Sequence, residues 1–157
     1  MKAIVIYYSR GGTTKQMAEI IGSEINKNSI DCDVLPVAQV KPEKLLEYDG
    51  IIIGSPTYYG TLAAQIKGLL DESVSFHGKL DAKVGAAFSS AANLAGGNET
   101  TILSILEAML IHGMIIQGDP KGDHYGPVAV GSIDARCQTN CQRYAKRFVE
   151  LLKKVNS

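Results

Sequence analysis

Residues Ala3-Ile4-Val5-Ile6-Tyr7-Tyr8-Ser9-Arg10-Gly11-Gly12-Thr13-Thr14 decide the fold. The first six are apolar or aromatic with no polar interruption. A strand with one wet face alternates, whereas a strand buried on both faces reads as a continuous run. The run therefore predicts a strand of a parallel sheet covered by helices. Ser9 to Thr14 then supplies hydroxyls and glycines, the composition of a tight turn. Met17, Ala18, Ile21 and Ile25 follow at helical spacing and predict a helix over Thr14 to Asn26. Strand, turn and helix together make the first half of a βαβ unit.

The same alternation continues outward. Asp33 to Val37 reads as a second strand. Lys41 to Glu47 reads as a short helix, with Pro42 suited to its first turn. Gly50 to Gly54 is a third buried strand, ended by Ser55-Pro56. Leu62 to Asp71 places Leu62, Ile66, Leu69 and Leu70 on one helix face. Lys83 to Phe88 is a fourth strand. Glu99 to His112 is an amphipathic helix stopped by Gly113. Met114 to Gln117 is a fifth strand, and Gly118 to Gly131 a loop rich in Gly and Pro. Asp134 caps a last helix reaching about Val155. Five strands alternating with helices predict a three-layer α-β-α sandwich around a five-stranded parallel sheet, in the doubly wound order 2-1-3-4-5. Such sheets take ligands beyond the carboxyl ends of the strands, near the first and third. The loops after strands one, three and four are thus the expected site.

Composition narrows the function classes. The chain has 157 residues, the length of a single domain spanning 1–157. Sixteen Lys and Arg balance 16 Asp and Glu, so no basic excess supports nucleic-acid binding. No apolar run approaches the roughly 20 residues that cross a bilayer, and no membrane insertion is expected. The three cysteines, Cys32, Cys137 and Cys141, include no C-x-x-C. That pattern suits a reducing, cytoplasmic compartment.

Each of the three loops has a distinct chemistry. Ser9-Arg10-Gly11-Gly12-Thr13-Thr14 offers free amides and hydroxyls at a helix start, where the helix dipole favours an anion. The plainer reading is a strand-to-helix turn capped by Thr13 or Thr14. Pro56-Thr57-Tyr58-Tyr59-Gly60 carries two aromatic rings, either of which can stack on a flat heterocycle. One of them, Tyr59, is expected to pack beneath the loop. Ser90-Ala91-Ala92-Asn93 and Gly96-Gly97 leave room beside the backbone and offer groups for the polar edge of a ring. An anion turn, an aromatic loop and a small polar loop at one switch point suit a flat redox ring with a phosphorylated tail, which is FMN. No G-x-x-x-x-G-K-[ST] or G-x-G-x-x-G occurs, so nucleoside triphosphatase and dinucleotide fingerprints are excluded. No metal-ligating set is present. Cys137 and Cys141 read as a packed pair on the last helix. The spacing of Cys141 and Arg147 matches a phosphatase loop only by coincidence, since the stretch between them is helical and has no glycine.

Tyr7 to Ala18 resembles the phosphate loop of flavodoxin-type proteins. Gly54-Ser55-Pro56-Thr57-Tyr58-Tyr59-Gly60, Phe88 to Thr101, His112-Gly113-Met114-Ile115-Ile116 and His124-Tyr125-Gly126-Pro127 narrow the resemblance. Together they are similar to the flavodoxin-like NAD(P)H:quinone oxidoreductases once called tryptophan-repressor-binding proteins, here in a shorter form. The resemblance implies FMN as cofactor, with Ser9, Arg10, Gly11, Gly12, Thr13 and Thr14 at its phosphate. It implies Pro56, Thr57, Tyr58, Tyr59 and Gly60 along the ring, with Tyr58 nearest. Ser90, Ala91, Ala92, Asn93, Gly96 and Gly97 would meet the pyrimidine edge. His112 falls where the family places a histidine near the flavin, often of a neighbouring subunit. Its plainer reading is a histidine at a helix end. His112 and Tyr58 are the implied catalytic residues. The implied activity is reduction of quinones or similar acceptors by NAD(P)H, in a homodimer or homotetramer. The alternative is a flavodoxin-like carrier between redox proteins that uses the FMN semiquinone. Relatives with reductase activity carry insertions where this chain has only Pro36 to Pro42 and Ser73 to Leu80, and this chain has no Trp. FMN binding therefore carries over more fully than the reductase activity.

Overall fold

The computed structural model describes all residues 1–157. Its strands are β1 (Lys2–Tyr7), β2 (Asp31–Pro36), β3 (Gly50–Pro56), β4 (Val84–Ala91), β5 (Ile115–Ile116) and β6 (Val128–Val130). Its α-helices are α1 (Thr13–Lys27), α2 (Ala64–Glu72), α3 (Asn98–Ile111) and α4 (Ala135–Val155). The named strands pair in parallel, in the order β2-β1-β3-β4-β5, as the sequence predicts.

The unbroken apolar runs are explained by two cores. Ala3, Val5, Tyr7, Ile52, Val84, Ala86 and Phe88 join α1 and α4 on one face. Ile4, Ile6, Ile51, Ile53 and Ala87 join α2 and α3 on the other. Successive strand residues point to opposite faces, so a sheet covered twice needs apolar residues at both parities.

Two expected elements differ. Lys41 to Glu47 forms only a short 3-10 turn over Pro42–Glu47, and Tyr48 returns at once to extended backbone. The fifth strand is split. β5 pairs with the start of β4 at Val84 and Gly85, and β6, inside the expected loop, pairs with its end at Ser89 to Ala91. Residues 117–127 leave the sheet between them, where Pro120 and Pro127 have no N–H for a ladder.

That excursion is fastened to α4. Asp119 is buried and meets Arg143 Nη2 at 2.6 Å, while Arg136 Nη1 donates to both oxygens of Asp123 at 2.8 and 2.9 Å. Burial alone would raise the Asp119 carboxyl. The Lys121 amide and the Arg143 guanidinium outweigh burial and hold it below the ordinary carboxylate range. Cys137 and Cys141 lie wholly buried on the inner face of α4, and all three cysteines are free thiols.

Candidate functional site

The carboxyl ends of β1, β3 and β4 open on a cleft of about 500 Å3. It is lined by Ser9, Arg10, Gly11, Thr13, Thr14, Pro56, Thr57, Tyr58, Ser90, Ala91, Ala92 and Gly131. All but Gly131 were expected from the sequence. Gly131 follows β6, and its carbonyl accepts a hydrogen bond from Thr13 Oγ1 at 3.1 Å.

The turn into α1 has no side-chain cap, contrary to the plainer reading. Gly12 occupies the cap position at φ 98°, a left-handed conformation suited to glycine. The threonines are engaged elsewhere: Thr13 with Gly131, and Thr14 Oγ1 with Ser90 Oγ at 2.9 Å in the buried floor of the cleft. The first helical bond runs from the Gln16 N–H to the Gly12 carbonyl at 3.0 Å. Consequently the N–H groups of Arg10, Gly11, Thr13, Thr14 and Lys15 have no partner, and only the Gly12 N–H is bonded, to Ser9 Oγ. A Cβ built on Gly11 or Gly12 would meet nothing within 4 Å. No acid stands in the first turn. Arg10 is the only charged residue lining the cleft; it is exposed and forms no ion pair. Clustered free amides, a helix dipole and one guanidinium are groups that could hold a doubly charged phosphate.

The aromatic loop corrects the expectation for Tyr59. The Tyr58 N–H bonds the Thr61 carbonyl at 2.9 Å, and the Thr61 N–H returns the bond at 3.2 Å. This closes a tight turn with Tyr59 (φ 49°) and Gly60 (φ 81°) at its tip. A ring at the tip of such a turn has nothing beneath it, and Tyr59 is fully exposed. Tyr58 remains at the cleft, packed edge-on against Tyr8 with ring centroids 6.2 Å apart. Burial, and the Tyr8 phenol beside it, push the Tyr58 phenol above its ordinary range, so it is neutral and a hydrogen-bond donor at physiological pH.

Beneath both loops lies a hydroxyl network. Ser89 Oγ donates to Asn98 Oδ1 at 2.9 Å, and Thr101 Oγ1 stands 2.9 Å from Thr57 Oγ1. Asn98 also reaches the Ala129 carbonyl at 3.4 Å. These contacts tie the end of β3 to β4, α3 and β6, and so fix the gap between the loops. The sequence offers no signal for this network.

Several expected residues are not at the cleft wall. Gly12 lies within the turn, and Gly60 sits at the loop tip. Asn93 accepts the Gly96 N–H in a turn of its own, while Gly96 and Gly97 face a neighbouring cavity. His112 is at the far end of α3. That helix runs back from the carboxyl edge of the sheet for about 21 Å at 1.5 Å per residue. There His112 is buried, with Nε2 2.8 Å from Ser73 Oγ and its ring stacked on Phe76. Ser73 Oγ also donates to the Leu70 carbonyl at 2.7 Å. Its single proton is thereby committed, so Nε2 carries the hydrogen and donates to Ser73. Nδ1 is left buried without a partner. Burial, and the nearby His77, hold the imidazole below its ordinary pKa.

The residues present fit a flat ring with a phosphate tail. The amide cluster suits the phosphate, and the Tyr58 edge with the small Ala91 and Ala92 leaves a slot for the ring. Comparisons with known proteins agree. The flavodoxin domain model matches residues 4–102. A flavodoxin of Clostridium saccharobutylicum is 32% identical, covering 99% of this chain and 99% of its own. An NAD(P)H dehydrogenase (quinone) of Sinorhizobium fredii is 39% identical, covering 76% of this chain and 71% of its own. A solved flavodoxin from the domain Archaea superposes with a TM-score of 0.82 at 31% identity, covering 98% of this chain and 99% of its own.

Proposed function

The chain belongs to the flavodoxin family, and on that premise we propose that it is an FMN-dependent oxidoreductase that takes electrons from NAD(P)H and delivers them to a small quinone-like acceptor. The observation that carries the FMN part of this reading is the uncapped start of α1, whose free amides face a cleft with Arg10 as its only charged lining residue; the likeness to the Sinorhizobium dehydrogenase supports the NAD(P)H and quinone part. When bound, FMN supplies a ring able to accept a hydride and release electrons. The remaining work belongs to the chain. The free amides of Arg10, Gly11, Thr13, Thr14 and Lys15 and the Arg10 guanidinium would neutralise the phosphate. Thr14 and Ser90, bonded to each other, would form the floor under the tail. Tyr58, which lines the cleft, would lie along the ring and exclude water from that side. The full exposure of Tyr59 leaves the approach beside it open. A part for His112 requires a second copy of the chain, so the reading includes a homodimer or homotetramer. The free, buried thiols suit a cytoplasmic setting, and no helix is long and apolar enough to cross a membrane.

A second reading, an electron carrier between redox proteins, draws on a specific observation. The chain matches the Clostridium flavodoxin over its whole length but spans 71% of the Sinorhizobium dehydrogenase. One experiment separates the two. FMN-loaded protein is mixed with NADH or NADPH without oxygen. Rapid bleaching of the flavin band and turnover with benzoquinone are expected. No bleaching, with reversible stepwise reduction by a chemical reductant, overturns the reductase in favour of the carrier. Failure to retain FMN overturns both.

A further inference from the structure

The three-residue strand β6 pairs with β4 alone, so its outer edge has no neighbouring strand. A strand this short is marginal by itself. Asp123 and Arg136 grip its first residue. Asp123 Oδ2 accepts the Val128 N–H at 2.9 Å, and Arg136 Nη2 donates to the Val128 carbonyl at 2.9 Å. The two side chains are also joined to each other, since Arg136 Nη1 donates to both Asp123 oxygens at 2.8 and 2.9 Å. One ion pair therefore engages both polar backbone groups of Val128. A guanidinium fork suits this task, because it holds a carboxylate and a carbonyl at once.

The other end of β6 leads to the turn that opens α1. The Gly131 N–H donates to the Ala91 carbonyl at 2.8 Å, and the Gly131 carbonyl accepts from Thr13 Oγ1 at 3.1 Å. A threonine hydroxyl near a helix start ordinarily turns back onto backbone N–H groups of its own turn. Thr13 does not, and α1 has no side-chain cap. Gly131 thus draws away the hydroxyl that would compete with a ligand for the free amides that follow it.

We propose that Asp123 and Arg136, neither of which lines the cleft, are positioning residues for the FMN phosphate. They fix β6, β6 holds Gly131 against Thr13, and the amides opening α1 stay free. This rests on the reading that those amides hold the phosphate. Arg136 is half exposed, and an exposed ion pair adds little to global stability. Its removal therefore leaves the sheet intact and alters the turn.

The test compares FMN with riboflavin, which has the same ring and no phosphate, by fluorescence titration. The parent should prefer FMN. Arg136→Ala and Asp123→Ala should each weaken FMN about tenfold and leave riboflavin within about twofold. The two variants change charge in opposite senses. A direct field on the phosphate would weaken FMN in the first and strengthen it in the second, so opposite shifts overturn the proposal. On a Thr13→Val background, which has no hydroxyl to turn back, Arg136→Ala should cost less than about twofold. An undiminished loss on that background overturns the proposal too, because the effect would not pass through Thr13. Equal losses of both flavins would make the pair a strut for the fold alone and overturn it, as would unaltered FMN affinity in both variants. A parent that binds the two flavins equally would refute the phosphate reading itself, and this proposal with it.

Discussion

Helices α1 and α3 begin with the same backbone device but carry different charges around it. Each is opened by a left-handed glycine, Gly12 at φ 98° and Gly97 at φ 102°, and neither has a side-chain cap. Helix α4 differs, since Asp134 caps it by accepting the Cys137 N–H at 2.7 Å. At α1 the first turn has no acid and Arg10 stands unpaired at the rim. At α3 Glu99 occupies the first turn, and its carboxylate already answers the helix dipole. The side chains around the turn decide whether the partial positive charge is offered to a ligand.

The largest expected effect comes from giving α1 the charge that α3 has. Thr14→Asp puts a carboxylate in the first turn, directly beneath the proposed phosphate position. Two like charges about 4 Å apart at an effective dielectric of about 20 repel by about 4 kcal/mol, which is about a thousandfold in FMN affinity. Fluorescence titration of FMN measures it, with circular dichroism to verify the fold. Affinity within tenfold of the parent would mean that the phosphate lies elsewhere.

The two helix starts also mark what the sequence discloses. The sheet was legible because Ala3 to Tyr8 and Gly50 to Gly54 are too uniformly apolar for any other setting. The cleft was legible as a conjunction of three loops. The cap was not, because Thr13 and Thr14 are good cap residues whose hydroxyls are engaged by Gly131 and Ser90, distant in sequence. Gly131 itself was hidden by the split of the fifth strand, which depends on Asp119 and Asp123 finding arginines on α4. Which of two adjacent tyrosines faces a cleft is set by the turn. A positive φ at a non-glycine residue such as Tyr59 has no local signature.

A smaller effect sharpens the tyrosine assignment. Tyr58→Ala removes one ring from the slot and should weaken FMN about tenfold, the lower part of the range for a stacked aromatic. It should also shift the flavin reduction potential. Tyr59→Ala, at the exposed tip, should change affinity by less than about twofold. Equal losses in the two variants would mean that the loop rearranges around the ring.

The smallest effect belongs to the far end of α3, at His112. In the folded chain its Nδ1 has no acceptor, so protonation would bury an unpaired N–H, and the pKa lies below the ordinary 6.5. The unfolded chain binds this proton more readily. The stability contribution of neutral His112 is therefore complete above about pH 6.5 and is lost as pH falls from there toward the folded value. His112→Gln keeps an N–H that can donate to Ser73 Oγ but cannot titrate. Thermal unfolding from pH 7.5 to 5.5 should show a shallower decline in the variant than in the parent. FMN affinity of the dilute protein should stay within about twofold, because the length of α3 separates the two ends. A loss of affinity that appears only as protein concentration rises would instead put the imidazole in a neighbouring subunit's cleft. The two ends of α3 would then serve two different sites.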